Sequence, residues 1–180
     1  MGVEYEGVLV EAVGGDITKQ HDCEVVVNAA NGQLLPGGGV AGAIHRAAGP
    51  GLEEECRPLA PIEPGQAVIT GGHELPNRWV VHCLGPVYGV DQPGEELLAR
   101  CYRRALQLAD EHGAVKIAFP AISTGAFGYP MEQAARVAVG EIRRSAAGLK
   151  SVNTVRFVLF DENARRLHDG VIREMLGDTA

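Results

Sequence analysis

The chain has 180 residues, 46% of them hydrophobic and 22% charged, the size and balance of one globular domain that buries its core without disulfide or metal staples. Its formal net charge of −7 excludes a general electrostatic attraction to nucleic acid, so an anionic ligand must be held locally, by backbone N–H groups and helix ends. No apolar run approaches the roughly 18 residues a membrane span needs, and Met1-Gly2-Val3-Glu4-Tyr5-Glu6 lacks the basic and apolar regions of a secretion signal; a cytoplasmic protein with no membrane partner is expected.

In chain order, strands are predicted over residues 8–13 and 24–29, then a helix over 40–48 and strands over 66–70 and 79–84. A helix over 95–111, a strand over 115–120, a helix over 131–146, a strand over 155–160 and a helix over 163–176 follow. Glu24-Val25-Val26-Val27 and Arg156-Phe157-Val158-Leu159-Phe160 are nearly continuous apolar or β-branched stretches, as expected of strands covered on both faces. Leu97, Leu98, Cys101, Ala105, Leu108 and Ala109 recur at helical spacing and make one apolar stripe. Strands alternating with helices predict a single three-layer α/β/α domain over residues 1–180.

Four segments carry chemistry. In Val26-Val27-Asn28-Ala29-Ala30-Asn31 through Gly37-Gly38-Gly39-Val40-Ala41-Gly42, a buried strand ends at an Asn-rich corner. The chain then passes three consecutive glycines and enters a helix of small residues. Glycine loses more backbone entropy on folding than any other residue, so such a triplet is tolerated where backbone must approach something closely. Just before a helix N-terminus it presents free N–H groups and a favourable dipole to an anion, phosphate above all. Gly37, Gly39 and Gly42 satisfy G-x-G-x-x-G, but the dinucleotide fingerprint needs its glycines directly after the strand, and Asn28 to Pro36 intervene here. No Lys follows the triplet as a P-loop requires.

The second segment, Ala118-Phe119-Pro120-Ala121-Ile122-Ser123-Thr124-Gly125-Ala126-Phe127-Gly128-Tyr129-Pro130, is another strand, glycine loop and helix start. Two such junctions in one sheet suit a diphosphate clamped from both sides. Phe127 either closes over a sugar face or caps the sheet edge. In Gly14-Gly15-Asp16-Ile17-Thr18, Asp16 reads as a turn or N-cap residue, or as an acceptor for an exocyclic amine. In Phe160-Asp161-Glu162-Asn163, Phe160 reads as core or as a stacking face for a base.

Together, in this order and spacing, these segments resemble the macro domain, and the resemblance covers nearly the whole chain. It implies a mixed sheet of about six strands between helices, with ADP-ribose in a cleft at the strand ends. Asp16 would bind the adenine amine, the Ile17 backbone would sit beside the base, and Phe160 would stack on it. Gly38, Gly39 and Val40 would contact the diphosphate and distal ribose from one side, and Ser123, Thr124, Gly125, Ala126 and Phe127 from the other. Asn31 would hydrogen-bond the distal ribose hydroxyls and orient them for catalysis.

The resemblance implies a monomer with no cofactor beyond ADP-ribose as ligand or product, and nucleic acid as a partner only when itself ADP-ribosylated. One hydrolase branch of the family has Val-Asp-Gly after the triplet, where this chain has Val40-Ala41-Gly42. Three readings therefore stand: hydrolysis of ADP-ribosyl esters, on protein or as O-acetyl-ADP-ribose, without that Asp; recognition of ADP-ribose without turnover; or another substrate in the same pocket, such as ADP-ribosylated nucleic acid or a cyclic phosphate. His45, at i+4 from Ala41 and so on the same helix face, reads as a catalytic candidate or a packing histidine. The six histidines are scattered and no C-x-x-C pair occurs, so no metal is expected. Cys23, Cys56, Cys83 and Cys101 read as reduced and mostly buried, and His82 as a satisfied core histidine.

Overall fold

The computed structural model describes residues 2–177. Its strands are β1 (Val3–Tyr5), β2 (Val8–Gly14), β3 (Val25–Ala29), β4 (Ala67–Gly71), β5 (Trp79–Cys83), β6 (Lys116–Phe119) and β7 (Thr154–Leu159). They form one sheet in the order β1-β2-β7-β6-β3-β5-β4. The middle strands β2, β7, β6, β3 and β5 run parallel, and β1 and β4 close the two edges antiparallel. Among the described residues five α-helices accompany them: α1 (Gly39–Ala48), α2 (Pro50–Cys56), α3 (Gly94–Glu111), α4 (Met131–Ser145) and α5 (Glu162–Leu176).

Strand alternation divides the core in two. Val25, Val27, Ile117, Phe119, Val155 and Phe157 face one cluster with the buried sides of α3, α4 and α5. Val26, Val80, Ala118 and Val158 face the other, with α1 and α2. Both sheet faces are apolar and both are covered, which makes the expected three layers. All four cysteines are buried and free, and burial pushes the Cys23 and Cys56 thiols up to about 11.

The mixed sheet has seven strands where about six were expected, and α2 is a fifth helix. β1 has three residues, with Glu4 exposed between Val3 and Tyr5, too short for a period to show; its partner β2 creates it. In α2, Pro50 occupies the first turn, where its missing N–H costs nothing. Glu53-Glu54-Glu55 lies on this helix, and Glu54 and Glu55 face solvent.

Candidate functional site

The four segments picked out in the sequence leave the sheet side by side. Asp16 follows β2, Phe160 follows β7, the Ser123 loop follows β6 and the glycine triplet follows β3, all at the C-terminal edge of parallel neighbours. At about 4.8 Å per strand, β2 to β3 spans roughly 14 Å, room for a base, a diphosphate and a second sugar laid along one edge. The chain goes from β3 to α1 on one face and from β6 to α4 on the other, so β3 and β6 flank a topological switch point, where open α/β sheets bind ligands. The β3–β6 ladder covers only Val25 with Ile117 and Val26 with Ala118. Beyond it the strands part, and a cavity of about 460 Å³ opens between their loops.

One wall of that cavity is Asn31, Gly37, Gly38, Gly39, Val40 and Ala41; the other is Ala121, Ile122, Ser123, Gly125, Ala126 and Phe127. Gly38 is the N-cap of α1 and its carbonyl accepts from Gly42 N, which leaves the amides of the first turn, Gly39 to Ala41, without an earlier carbonyl in the helix. These donors and the helix dipole make an anion site of backbone alone. The Asn31 amide braces the loop from within: Nδ2 donates to Leu35 O at 2.7 Å, and Oδ1 accepts from Leu35 N at 3.0 Å. Leu34 and Ser123 hold φ of 57° and 68°, a region that costs non-glycine residues and persists where the surroundings enforce it.

Gly85 also lines the cavity, although Gly85-Pro86 reads as loop punctuation in the sequence. A Cβ on Gly85 would overlap Ser123 Oγ and come 2.6 Å from Ile122 Cγ2, so only glycine lets the β5 end pass the Ser123 loop. No side chain in the cavity lining titrates.

The other candidates stand apart from the enclosed cavity. Asp16 is exposed and N-caps the 3-10 turn Ile17–Lys19, accepting from Thr18 N at 2.9 Å and Thr18 Oγ1 at 2.7 Å. The Thr18 hydroxyl bond lowers its pKa most, so at neutral pH Asp16 is an ionised acceptor. Phe160 is 86% exposed. That rules out a core role and leaves a flat apolar face beside Asp16. Ile17 is buried in the smaller cluster. Thr124 Oγ1 donates to Ala121 O at 2.9 Å and shapes its loop.

The comparisons agree with this geometry. The family model for the macro domain matches residues 27–138. A macro domain-containing protein of Chlorobaculum tepidum is 49% identical over 158 residues, 87% of this chain and 91% of that protein. The chain belongs to the macro domain family. The Oceanobacillus iheyensis macrodomain solved with ADP superposes with a TM-score of 0.91 at 40% identity, covering 97% of this chain and 95% of that one. The Trypanosoma brucei macrodomain solved in complex with ADP-ribose gives 0.85 at 34% identity, covering 94% of this chain and 74% of that one.

Within this macro domain His45 does not line the cavity. Both its ring nitrogens are buried without a hydrogen-bond partner, and burial lowers its pKa, so the neutral ring packs under α1, 6.4 Å from the His82 ring. The family position of the Asp is Ala41, which is buried and lines the cavity. His45→Leu removes two unsatisfied polar atoms and keeps the bulk. It should leave the melting temperature unchanged or raise it, with unaltered ADP-ribose affinity by titration calorimetry; an affinity loss beyond about threefold would return His45 to the site.

His82 holds the floor. Thr70 Oγ1 donates to Gly71 O, so it accepts from His82 Nε2 at 2.9 Å, and His82 Nδ1 accepts from Asn28 Nδ2 at 3.1 Å. Cys56 Sγ lies 3.7 Å from Nε2. One neutral ring thus ties β3, β5, β4 and α2 together at the strand end from which the Asn31 loop departs. Burial lowers the His82 pKa to about 3. The unfolded chain binds this proton near pH 6.5 and the folded chain does not, so stability falls as pH drops from about 6.5 toward 3, at up to about 1.4 kcal/mol per pH unit. Thermal melts across that range should show the decline, and His82→Gln should make it shallower, with buried His45 and His168 supplying the remainder.

Proposed function

We propose that this macro domain binds ADP-ribose along the C-terminal edge of β2, β7, β6 and β3, and releases ADP-ribose slowly from ADP-ribosyl esters. The observation that carries the reading is the row of four strand ends, with a carboxylate and an exposed aromatic at one end and two backbone-lined loops at the other. The ADP and ADP-ribose complexes of the relatives support it. In this reading Asp16 accepts from the adenine amine beside the Ile17 backbone, and Phe160 lies against the base. The diphosphate sits between Gly38–Val40 and Ser123–Ala126, with Thr124 shaping the latter loop. The distal ribose meets Asn31 and Phe127.

Hydrolysis on this site runs without a side-chain base, since none lines the cavity. Asn31 orients the distal ribose, and the closed loops strain it and limit the water that reaches it. Protein esters and O-acetyl-ADP-ribose both meet these demands, with water as the only co-reactant.

The test is titration calorimetry with ADP-ribose, then a release assay on glutamate-ADP-ribosylated protein. Saturable one-to-one binding is expected, weakened about tenfold by Asn31→Ala, the scale of one lost hydrogen-bond pair. Release is expected to stop in Asn31→Ala and to show no titration step between about pH 6 and 8, where an enzymic base would appear. Binding without release would make the domain a reader of ADP-ribosylation. Absence of binding overturns the whole assignment.

A further inference from the structure

On the ADP-ribose reading above, the mouth of the cavity faces whatever the distal ribose carries. Among the described residues few large apolar side chains are exposed, and three of them stand on segments hydrogen-bonded to the cavity walls or in the adjoining turn: Leu35 at 48%, Tyr88 at 47% and Val90 at 71%. Each side is tied to a cavity wall. Leu35 is fixed through both backbone groups to the Asn31 side chain, and Tyr88 N donates to Phe127 O at 2.9 Å. Asn31 and Phe127 are the residues placed against the distal ribose, so the segments that carry Leu35 and Tyr88 adjoin the position from which any group attached to that ribose must leave.

The segment that carries Tyr88 and Val90 is braced by its own hydrogen bonds. Val87 N donates to Asp91 Oδ2 at 2.8 Å, while Val90 N and Asp91 N both donate to Val87 O, closing residues 87–91 into a self-bonded turn. The Tyr88 ring stands edge-on against Tyr129 at 4.9 Å. Side chains held in place before binding lose little entropy on contact.

Charge selects the occupant. Residues 28–45, 85–94 and 118–130, which supply both walls and the rim, contain no Lys or Arg, and Asp91 is their only acidic residue. Arg46 Nη1 lies 3.0 Å from where a Cβ on Gly42 would sit, behind the triplet and outside the lining. A phosphodiester chain leaving the ribose would meet a carboxylate and apolar groups, with no cation to replace its counterions. A polypeptide carrying an apolar side chain next to its modified residue meets matching surface.

We infer that Leu35, Tyr88 and Val90 form an acceptor-side subsite that selects ADP-ribose attached to a peptide with an apolar residue beside the modified one. A tenfold preference, about 1.4 kcal/mol, requires about 55 Å² of apolar surface removed from water, which is within the reach of one leucine side chain against this rim.

Competition binding followed by fluorescence anisotropy tests this with four probes: free ADP-ribose, a peptide stably linked to ADP-ribose beside leucine, the same peptide with glycine there, and an oligonucleotide bearing terminal ADP-ribose. The leucine peptide is expected to bind about tenfold more tightly than free ADP-ribose. The glycine peptide should match free ADP-ribose, and the oligonucleotide should bind no better. Tyr88→Ser and Val90→Ser should each remove most of the gain while leaving free ADP-ribose within about twofold. Equal binding of the two peptides, tightest binding of the oligonucleotide, or an undiminished gain in both variants would overturn the subsite. If no probe binds at all, the ADP-ribose reading itself fails and the subsite with it, a result distinct from all four binding alike.

Discussion

Gly42→Ala is expected to lower ADP-ribose affinity at least 100-fold, roughly 2.7 kcal/mol, while the domain stays folded. Two effects oppose each other at this position. Alanine inside a helix gains about 1 kcal/mol over glycine, which favours the variant in isolation. However, a Cβ on Gly42 would overlap the carbonyl oxygen of Gly37 and come 3.0 Å from Arg46 Nη1. The arginine can swing away; the carbonyl belongs to the triplet and cannot move alone. Gly37 packs on Asn31, whose Nδ2 would be 3.3 Å from a Cβ there, and Asn31 is braced to Leu35. Displacing Gly37 therefore shifts the Asn31 wall and turns the first-turn amides of α1 away from the diphosphate. Two charge-assisted bonds at about 1.5–3 kcal/mol each account for the loss. Calorimetric titration of the variant checks it, alongside a melt that should drop by only a few degrees. Near-wild-type affinity would mean that the triplet does not hold the diphosphate.

The parts of this site that could be read from the sequence share one property: their cause is local. Val25-Val26-Val27 reads as a covered strand because both faces are apolar, and Gly37-Gly38-Gly39 before a helix reads as a backbone site, against a purely structural turn, because of the entropy the triplet costs. Phe160 stayed ambiguous because an aromatic at a strand end can turn in or out, and here it turns out. Gly85 escaped notice because its requirement comes from Ser123, which only the parallel alignment of β5, β3 and β6 brings near. His45 shows the limit of helical periodicity. Spacing puts it on the face of Ala41, but one turn along that face passes from the cavity to the packed interior beside His82.

Arg156→Leu is expected to destabilise the domain by about 2–3 kcal/mol, a fall of roughly 5–10 °C in melting temperature for a chain of this size. Arg156 stands in β7 between Val155 and Phe157, only 13% exposed, and spends its whole guanidinium on the β2 side of the sheet. Nε donates to Glu11 Oε1 at 2.8 Å, and Nη1 and Nη2 fork onto Asp22 Oδ1 and Oδ2, both at 2.8 Å. Nη1 also reaches Gln20 Oε1 at 3.0 Å, and Gln20 Nε2 in turn donates to Asp16 O at 2.8 Å. Leucine would leave Glu11 with an uncompensated, largely buried charge, the costly way to break such a network; the half-exposed Asp22 keeps the total below the fully buried range. Arg156→Lys should recover less than half of the loss, because a single ammonium cannot reproduce the fork. The Arg156 bond holds the Asp22 carboxyl well below the usual carboxylate range. The stability it contributes is therefore complete above about pH 4 and lost as pH falls further, a part of the acid limb that Arg156→Leu should remove while the parts from Asp16, Glu24 and Asp110 persist. Because the same guanidinium props Gln20 under the Asp16 turn, the variant should also weaken ADP-ribose binding several-fold, and ribose 5-phosphate, which has no base for Asp16 to hold, should bind as before. A melting temperature within about 2 °C of the parent would show that the network adds little. Equal weakening of both ligands would place its influence on the fold at large instead of on the adenine end.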